Sequence, residues 1–205
     1  LNKKIIVIER GVDTNYFKND SNLNKIDYDN IIIFNPSRIT SWKGHVNLLK
    51  NFSKISSELQ KKIKFKFISS HKSKYEKELD NYINQNQLKE KIIFKKPTNE
   101  IKQEYLESNI IINSSIYPEG FGRTISESLA LNIPAIATNF GGCREQLIRF
   151  NDNLLFDKNS YSSLEYSINY VMKNYTNLSS HSRKFVLDYY SLDKMIKKTI
   201  DVYNN

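Results

Sequence analysis

The stretch that decides the fold and chemistry of this chain is Tyr117-Pro118-Glu119-Gly120-Phe121-Gly122-Arg123-Thr124-Ile125-Ser126-Glu127. A carboxylate precedes a glycine-rich turn, the turn opens a predicted helix, and a second carboxylate follows the first by eight positions. Two glycines let backbone N–H groups approach a ligand closely, and the start of a helix attracts anions. An ionised glutamate accepts several hydrogen bonds from hydroxyl groups. The stretch therefore predicts one site for a phosphate and a sugar, as in a nucleotide sugar.

Outward from this stretch, short β-branched or aromatic runs alternate with longer amphipathic runs, which is typical of a parallel sheet with crossover helices. Strands are predicted at 31–34, 63–68, 92–94, 110–113, 135–138 and 154–156, with a further short strand at 5–8. Helices are predicted near 44–57, 74–84, 100–107, 124–131, 144–149, 161–174, 179–189 and 192–203. The lysines of the strand at 63–68 indicate a position near a sheet edge or only partly covered.

We therefore expect an α/β fold: a Rossmann-like, doubly wound parallel sheet of about six strands flanked by helices. At 205 residues the chain is long enough for one well-buried domain, or at most two small ones. It begins with Leu1 rather than Met, so we expect a piece of a longer protein. No apolar run reaches membrane-spanning length, and the single Cys143 excludes an internal disulfide. These features predict a reducing, cytoplasmic location.

The chain carries 31 Lys+Arg against 22 Asp+Glu, a net charge of +9. One interpretation is diffuse charge from heavy use of lysine throughout the sequence; the other is peripheral contact with an anionic membrane that carries a lipid-linked acceptor. A nucleic-acid-binding domain is compatible with the charge, but no recognition motif or basic-aromatic stripe supports it. His45, His71 and His181 lack metal-ligand spacing, so no metal site is predicted.

Four motifs, in order, resemble the family 4 (group 1) retaining glycosyltransferases of GT-B architecture. The segment 117–127 is similar to the family's glutamate–seven residues–glutamate signature. The family's "NGVD…F" motif is similar to Ile5-Ile6-Val7-Ile8-Glu9-Arg10-Gly11-Val12-Asp13, with Phe17 after it. Its "GRL…KG" motif is similar to Asn35-Pro36-Ser37-Arg38-Ile39-Thr40-Ser41-Trp42-Lys43-Gly44-His45. Its "vvatd.GG..E" motif is similar to Ala135-Ile136-Ala137-Thr138-Asn139-Phe140-Gly141-Gly142-Cys143-Arg144-Glu145.

The resemblance implies that Arg38 and Lys43 bind the donor's pyrophosphate, as a planar fork and a mobile point charge. The alternative is a pair of solvated loop charges. Ser37 stands where the family usually has glycine. Lys95 and Pro97, after the third strand, lie where the family binds the nucleobase through backbone atoms.

The resemblance also places the transferred sugar at Glu119, with backbone amides of Gly120, Phe121, Gly122, Arg123 and Thr124 facing the sugar and phosphate. A loop carboxylate such as Glu119 is otherwise usually solvated. Phe121 has a second interpretation as a buried anchor of the turn. Glu127 corresponds to the glutamate that binds the ribose, but Thr124-Ile125-Ser126-Glu127 is also a capping-box pattern.

As a whole, the resemblance implies that residues 1–205 form the C-terminal, donor-binding domain, with an N-terminal acceptor domain missing from this sequence. The catalytic residues would be Glu119, Arg38 and Lys43, with no metal and no cofactor. The donor would be a nucleoside-diphosphate sugar of the UDP or GDP type, and the acceptor a saccharide or lipid-linked hydroxyl of a surface polysaccharide pathway. The alternative is a stand-alone nucleotide-sugar-binding subunit that is inactive without a partner.

Overall fold

The computed structural model describes residues 5–20, 26–70 and 73–204. Its centre is a parallel sheet of six strands in the order β3-β2-β1-β4-β5-β6. The strands are β1 (Ile31–Arg38), β2 (Ile63–Ile68), β3 (Ile92–Lys95), β4 (Ile110–Asn113), β5 (Ala135–Thr138) and β6 (Leu155–Phe156). The order reverses between β1 and β4, and such open sheets bind ligands beyond the carboxyl ends of their strands at that point. The predicted Rossmann-like doubly wound sheet is confirmed.

Eight α-helices connect and flank the described strands. They are α1 (His45–Phe52), α2 (Ser57–Lys62), α3 (Lys74–Gln85), α4 (Ile101–Leu106), α5 (Arg123–Ala130), α6 (Gly141–Phe150), α7 (Tyr161–Tyr189) and α8 (Leu192–Tyr203). Short 3-10 turns cover Ser41–Lys43, Lys89–Lys91 and Asp152–Leu154. No helix of the described residues is both long and apolar enough to cross a bilayer.

Three of the predictions for helices and strands are wrong. The helix predicted at 44–57 is two helices, because the chain leaves α1 at Ser53 and starts α2 only after Ser56. The helices predicted at 161–174 and 179–189 are one helix, α7, with a kink at Asn174. The strand predicted at 5–8 is irregular backbone. The side chains of Ile5 and Val7 are 89% and 78% exposed, and no strand in the described part of the chain pairs with this segment.

Strand burial explains the strongly apolar sequence of the sheet centre. Every residue of β4 and β5 is buried, since parallel strands are covered on both faces. The prediction that β2 lies near an edge is confirmed, because only β3 separates it from the end of the sheet. Lys66 is nevertheless almost fully buried, and its ammonium lies 3.0 Å from the Glu104 carboxylate and 2.7 Å from the Glu104 carbonyl oxygen. Burial lowers the pKa of Lys66, and Glu104 opposes that effect.

Helix α7 ties the start of the described chain to the end of α5. The Arg183 guanidinium donates to the carbonyl oxygens of Thr14, Phe17 and Ala130, each at 2.8 Å. A cation at the last carbonyls of a helix also interacts favourably with its dipole. Asn132, at φ +60, closes α5 in the left-handed conformation expected for it.

Candidate functional site

Glu119 is the centre of a compact polar cluster beyond the carboxyl end of β4. Its Oε1 lies 2.7 Å from Lys43 Nζ and 2.8 Å from Asn113 Nδ2, and it also accepts a hydrogen bond from the Ser115 hydroxyl. Both members of the ion pair are largely buried, with side-chain exposures of 13% for Lys43 and 15% for Glu119. Burial raises the pKa of Glu119, but the bonds from Lys43, Ser115 and Asn113 outweigh it and leave that pKa below its ordinary value. Glu119 is therefore ionised at neutral pH.

The backbone around Lys43 explains why its side chain reaches Glu119. Gly44 follows it at φ +72, and a Cβ there would lie 2.1 Å from the Ser114 carbonyl oxygen. The Ser114 hydroxyl donates to the Lys43 carbonyl at 2.9 Å, and the Ile116 amide donates to the Trp42 carbonyl at 2.8 Å. The loop after β1 is thus joined to the loop after β4 on both sides of Lys43.

The glycine turn between Glu119 and α5 is close-packed on one side and open on the other. Gly122 has φ +80, and a Cβ there would lie 2.2 Å from the buried Cys143 sulfur. A Cβ on Gly142, at the start of α6, would lie 2.4 Å from Phe121 Cα. At Gly120, by contrast, a Cβ would meet no atom within 4 Å, which leaves space for a ligand. The Gln146 side chain of α6 donates to the carbonyl oxygens of this turn.

The second carboxylate, Glu127, occupies a different environment on the first turns of α5. Its Oε2 accepts a hydrogen bond from the Tyr105 hydroxyl at 2.9 Å, and its Oε1 lies 3.0 Å from the exposed guanidinium of Arg123. Burial raises the pKa of Glu127, and the bonds from Tyr105 and Arg123 only partly offset that effect. The capping-box alternative is wrong: α5 starts at Arg123 with Gly122 as N-cap and no side-chain cap, so Glu127 lies too far along the helix.

Arg38 and Pro97, two of the remaining predicted binding residues, line a neighbouring cavity of about 330 Å³ together with Thr40 and Ser70. The Arg38 side chain is exposed at the end of β1, and its guanidinium has no ion pair or hydrogen bond among the described residues. Lys95 is different. Its ammonium lies 3.4 Å from Glu104 and 3.6 Å from Glu107, and its carbonyl accepts the Ser69 amide at 2.9 Å. This carbonyl already has a partner.

Three other residues named from sequence have clear packing roles. The Phe121 ring packs edge-on against Tyr190, with centroids 5.5 Å apart, which supports its interpretation as an anchor of the turn. Cys143 is buried against Gly122, and burial raises the pKa of its thiol. His45 is fully buried beside Phe67, and neither ring nitrogen has a partner in the described part of the chain. Burial and the nearby Lys43 charge lower the His45 pKa to about 3.

Sequence reasoning placed Lys43, Glu119 and the glycine turn at one end of the sheet, and the structure brings them into contact. Asn113 also links Glu119 to the start of α5, because its amide donates to Thr124 Oγ1 at 3.2 Å. Sequence reasoning missed four supporting residues: Asn113, Ser115, Tyr105 and Gln146. Asn113 and Ser115 had a usable signal, since polar residues directly after a buried strand face this edge. Among the described residues, no group of three His, Cys, Asp or Glu could hold a metal ion.

Comparisons with known proteins agree with this geometry. The family model described as "Glycosyl transferases group 1" matches residues 17–185. A glycosyltransferase from Rickettsia africae ESF-5 is 32% identical, with a TM-score of 0.83 over 98% of this chain and 56% of its own. Anabaena HepE, solved with UDP and glucose, gives a TM-score of 0.81 at 18% identity, over 98% of this chain and 56% of its own.

A C-terminal domain of a Francisella tularensis glycosyl transferase group 1 family protein (LpcC) is 22% identical. It gives a TM-score of 0.70 and covers 89% of this chain and 100% of its own. No curated protein sequence matches this chain. The chain spans little more than half the length of the Rickettsia and Anabaena proteins. The family model covers most of the sequence, so the chain belongs to the group 1 glycosyltransferases.

Proposed function

We propose that this chain is the C-terminal, donor-binding domain of a retaining glycosyltransferase. In this proposal the domain binds a nucleoside-diphosphate sugar, and the whole enzyme transfers the sugar to an acceptor hydroxyl with the anomeric configuration kept. The single observation that carries the proposal is the contact between Lys43 and Glu119 at the open side of a glycine turn. A cation and an ionised carboxylate side by side suit a ligand with an anionic diphosphate next to a hydroxyl-bearing sugar.

The diphosphate would lie between Lys43, Arg38 and the start of α5. Lys43 is a mobile point charge, and the unpaired guanidinium of Arg38 offers a planar fork of donors. The first backbone N–H groups of α5 add donors and the positive end of the helix dipole. As the bond between the anomeric carbon and the diphosphate oxygen breaks, these groups stabilise the developing negative charge. We propose that they do so without a metal ion.

The sugar would lie against Glu119 and the open space at Gly120. The ionised carboxylate accepts bonds from sugar hydroxyls and stabilises positive charge at the anomeric carbon. A bond then forms from that carbon to the acceptor oxygen, on the same face as the departing diphosphate. The acceptor's hydroxyl proton passes to the leaving diphosphate, which balances the transfer. Glu127, one to two turns along α5, would accept bonds from the ribose hydroxyls.

The nucleobase would enter the cavity beside Arg38 and Pro97. This cavity of about 330 Å³ opens at the ends of the strands that precede the diphosphate site. The Lys95 carbonyl is bonded to Ser69, so Pro97 is the better candidate of the two for backbone contact with the base. We propose a UDP- or GDP-type donor.

A further domain would supply the acceptor site. Apolar side chains that are at least 45% exposed lie both before the first strand, at Ile5 and Val7, and on α8, at Ile196 and Ile200. Lys198 of α8 bonds Glu9 at 2.6 Å, so these two segments are neighbours. Exposed apolar side chains grouped in this way mark interaction surfaces. We propose that an N-terminal domain covers them, and that the acceptor is a saccharide or lipid-linked hydroxyl of a surface polysaccharide. The enzyme would be cytoplasmic, with peripheral contact to an anionic membrane.

The test is a titration of this chain with UDP, GDP and inorganic pyrophosphate by calorimetry, repeated with a chelator. We expect binding that a chelator does not weaken, and a loss of at least about 1 kcal/mol in Lys43→Ala. Lys50→Ala, on the exposed end of α1, is the matched control and should bind as the wild type does. A DNA duplex at graded salt tests the basic-domain alternative. Binding of the duplex alone, with a steep salt dependence, would refute the proposal.

The alternative of a stand-alone binding subunit makes a separate prediction. If the chain acts only with a partner protein, the reading frame that encodes it will hold no second domain upstream. A longer frame that contains such a domain rules this alternative out.

A further inference from the structure

Gln146 is a buried polar side chain beneath the glycine turn, and the function proposed above does not use it. It lies on α6 and is only 1% exposed. Its Nε2 is within hydrogen-bond distance of three backbone carbonyl oxygens: Phe121 at 2.5 Å, Gly122 at 3.2 Å and Gly142 at 3.4 Å. Three acceptors around one end of the side chain assign that end as the nitrogen. Two of them belong to consecutive peptide units of the turn.

The direction of those two carbonyls fixes the direction of two N–H groups. All described peptide bonds are trans. In a planar trans peptide the C=O and the following N–H point in opposite directions. Because the carbonyls of Phe121 and Gly122 point toward Gln146, the N–H groups of Gly122 and Arg123 point away from it. Neither N–H donates to any other described residue, as expected at the N-cap and first position of a helix.

The peptide planes of the glycine turn need a contact from outside the turn to fix their orientation. Gly122, at φ +80, is the least restricted residue type, so its flanking peptide planes rotate easily unless something holds them. The preceding segment is already fixed, because the Gly142 amide donates to the Glu119 carbonyl at 2.8 Å. The Gly122 carbonyl accepts the Ile125 amide at 3.1 Å as well as the Gln146 amide. For the Phe121 carbonyl, Gln146 is the donor found among the described residues.

We propose that Gln146 is a positioning residue for donor binding. It holds two consecutive peptide units of the glycine turn so that the N–H groups of Gly122 and Arg123 are both aimed at the donor's diphosphate. The inference rests on the proposed function and adds to it the group that orients the backbone donors.

The competing explanation is that Gln146 only satisfies buried carbonyls. Its own Oε1 argues against that explanation, because this atom is buried and has no partner in the described residues. An unpaired buried carbonyl oxygen costs stability. A side chain kept for stability alone would have both ends paired, whereas a side chain kept to orient the turn needs only its donor end.

The experiment compares the wild type with Gln146→Met, which is similar in volume and has no donor. The control is Gln60→Met, because the Gln60 amide also bonds a backbone carbonyl, that of Ile55 at 2.8 Å, far from the turn. Inorganic pyrophosphate is titrated while the amide signals of Gly122 and Arg123 are followed by ¹⁵N NMR. We expect Gln146→Met to bind about tenfold more weakly and to lose the ligand-induced shift of Gly122. The Arg123 shift should fall less, because the Ile125 amide still bonds the Gly122 carbonyl. Gln60→Met should keep both. Wild-type affinity and shifts in folded Gln146→Met would overturn the proposal.

Gln146→Glu provides a second test if the methionine variant does not fold. Its carboxyl can donate one hydrogen bond to the Phe121 carbonyl while protonated, and loses that donor on ionisation. The ratio of its pyrophosphate affinity to that of the wild type should therefore fall as pH rises. A ratio that stays constant with pH would overturn the role of Gln146, whereas failure of the wild type to bind any diphosphate would overturn the proposed function itself.

Discussion

The two carboxylates of the glutamate signature are eight residues apart and have opposite environments. Glu119 lies in a loop and receives hydrogen bonds from Lys43, Ser115 and Asn113, which hold its pKa below the ordinary value. Glu127 lies on a helix, where burial raises its pKa despite bonds from Tyr105 and Arg123. Titratable pairs whose environments push their pKa values apart commonly have different chemical roles. The difference favours an ionised Glu119 and, under the proposed function, a Glu127 that gains further hydrogen bonds when a ligand binds.

The largest effect on stability that we predict concerns His45, whose titration must be separated from that of the two glutamates. His45 is buried with a pKa of about 3, whereas in the unfolded chain its pKa is about 6.5. The unfolded state therefore binds more protons below about pH 6.5, and stability is lost as pH falls from there toward 3. His45→Leu should remove about 3 kcal/mol of this acid sensitivity, as measured by urea unfolding between pH 7 and pH 4.

The control for that prediction is His181→Asn, on the exposed surface of α7. It removes a histidine without removing a buried side chain. If His45→Leu unfolds with the same pH profile as the wild type, the imidazole is not neutral and buried. If the stability of His45→Leu depends less on pH than that of the wild type, the two glutamates can be compared in this variant.

The second prediction concerns the ion pair. Lys43→Met should lower the free energy of unfolding by about 3 kcal/mol at pH 7, because it leaves the Glu119 carboxylate buried without its cation. The double variant Lys43→Met/Glu119→Gln should recover much of that loss, since no buried charge remains. Removal of Lys184 from its exposed pair with Asp188 is the matched control, and should cost at most about 0.5 kcal/mol. Equal losses at the two lysines would mean that the Lys43–Glu119 pair is effectively solvated.

The third prediction separates the two carboxylates by the sign of their effect. A carboxyl whose folded pKa is lowered stabilises the fold above its unfolded value and loses that contribution as pH falls. A carboxyl whose folded pKa is raised has the reverse dependence. Glu119→Gln should therefore cost about 1.5 kcal/mol at pH 7, and this cost should shrink as the pH falls below the unfolded pKa of about 4.3.

Glu127→Gln should instead leave stability at pH 7 unchanged or slightly raised, because the neutral amide avoids the burial cost of a charge. Thermal unfolding of both variants in the His45→Leu background measures the two signs directly. Effects of the same sign would remove the contrast between the two environments. In binding assays, Glu127→Gln should weaken UDP or GDP more than inorganic pyrophosphate, which has no ribose.

The parts predictable from sequence are those that local pattern determines. The three consecutive isoleucines of β4 and the alternating run of β2 identify buried parallel strands without tertiary information. Motif order then places Lys43 and Glu119 at one sheet edge. The helix predicted near 44–57 fails because the turn between α1 and α2 contains no glycine or proline to mark it.

Other errors have tertiary causes. The capping-box alternative for Glu127 fails because the left-handed Gly122 starts α5 earlier than the Thr-x-x-Glu pattern requires. Tyr105 and Gln146 could not be assigned, because each reaches the site from a different helix more than 15 residues away in sequence. Their polar groups are indistinguishable, in sequence, from those of ordinary amphipathic helices.

The smallest expected effect concerns the hydrogen bond from Tyr105 to Glu127. Tyr105 is fully buried, its ring packs edge-on against Phe34, and its hydroxyl bonds Glu127 Oε2. Tyr105→Phe removes only that hydroxyl and should cost about 1 kcal/mol of stability. It should also raise the Glu127 pKa further, because the lost bond favours the ionised form. Carboxyl ¹³C NMR measures that shift, and Tyr175→Phe, on α7, is the control for loss of a buried hydroxyl. If Glu127 titrates identically in the wild type and in Tyr105→Phe, burial and Arg123 alone set its pKa. The pKa values of the two glutamates would then differ because of burial rather than because of their hydrogen-bond partners.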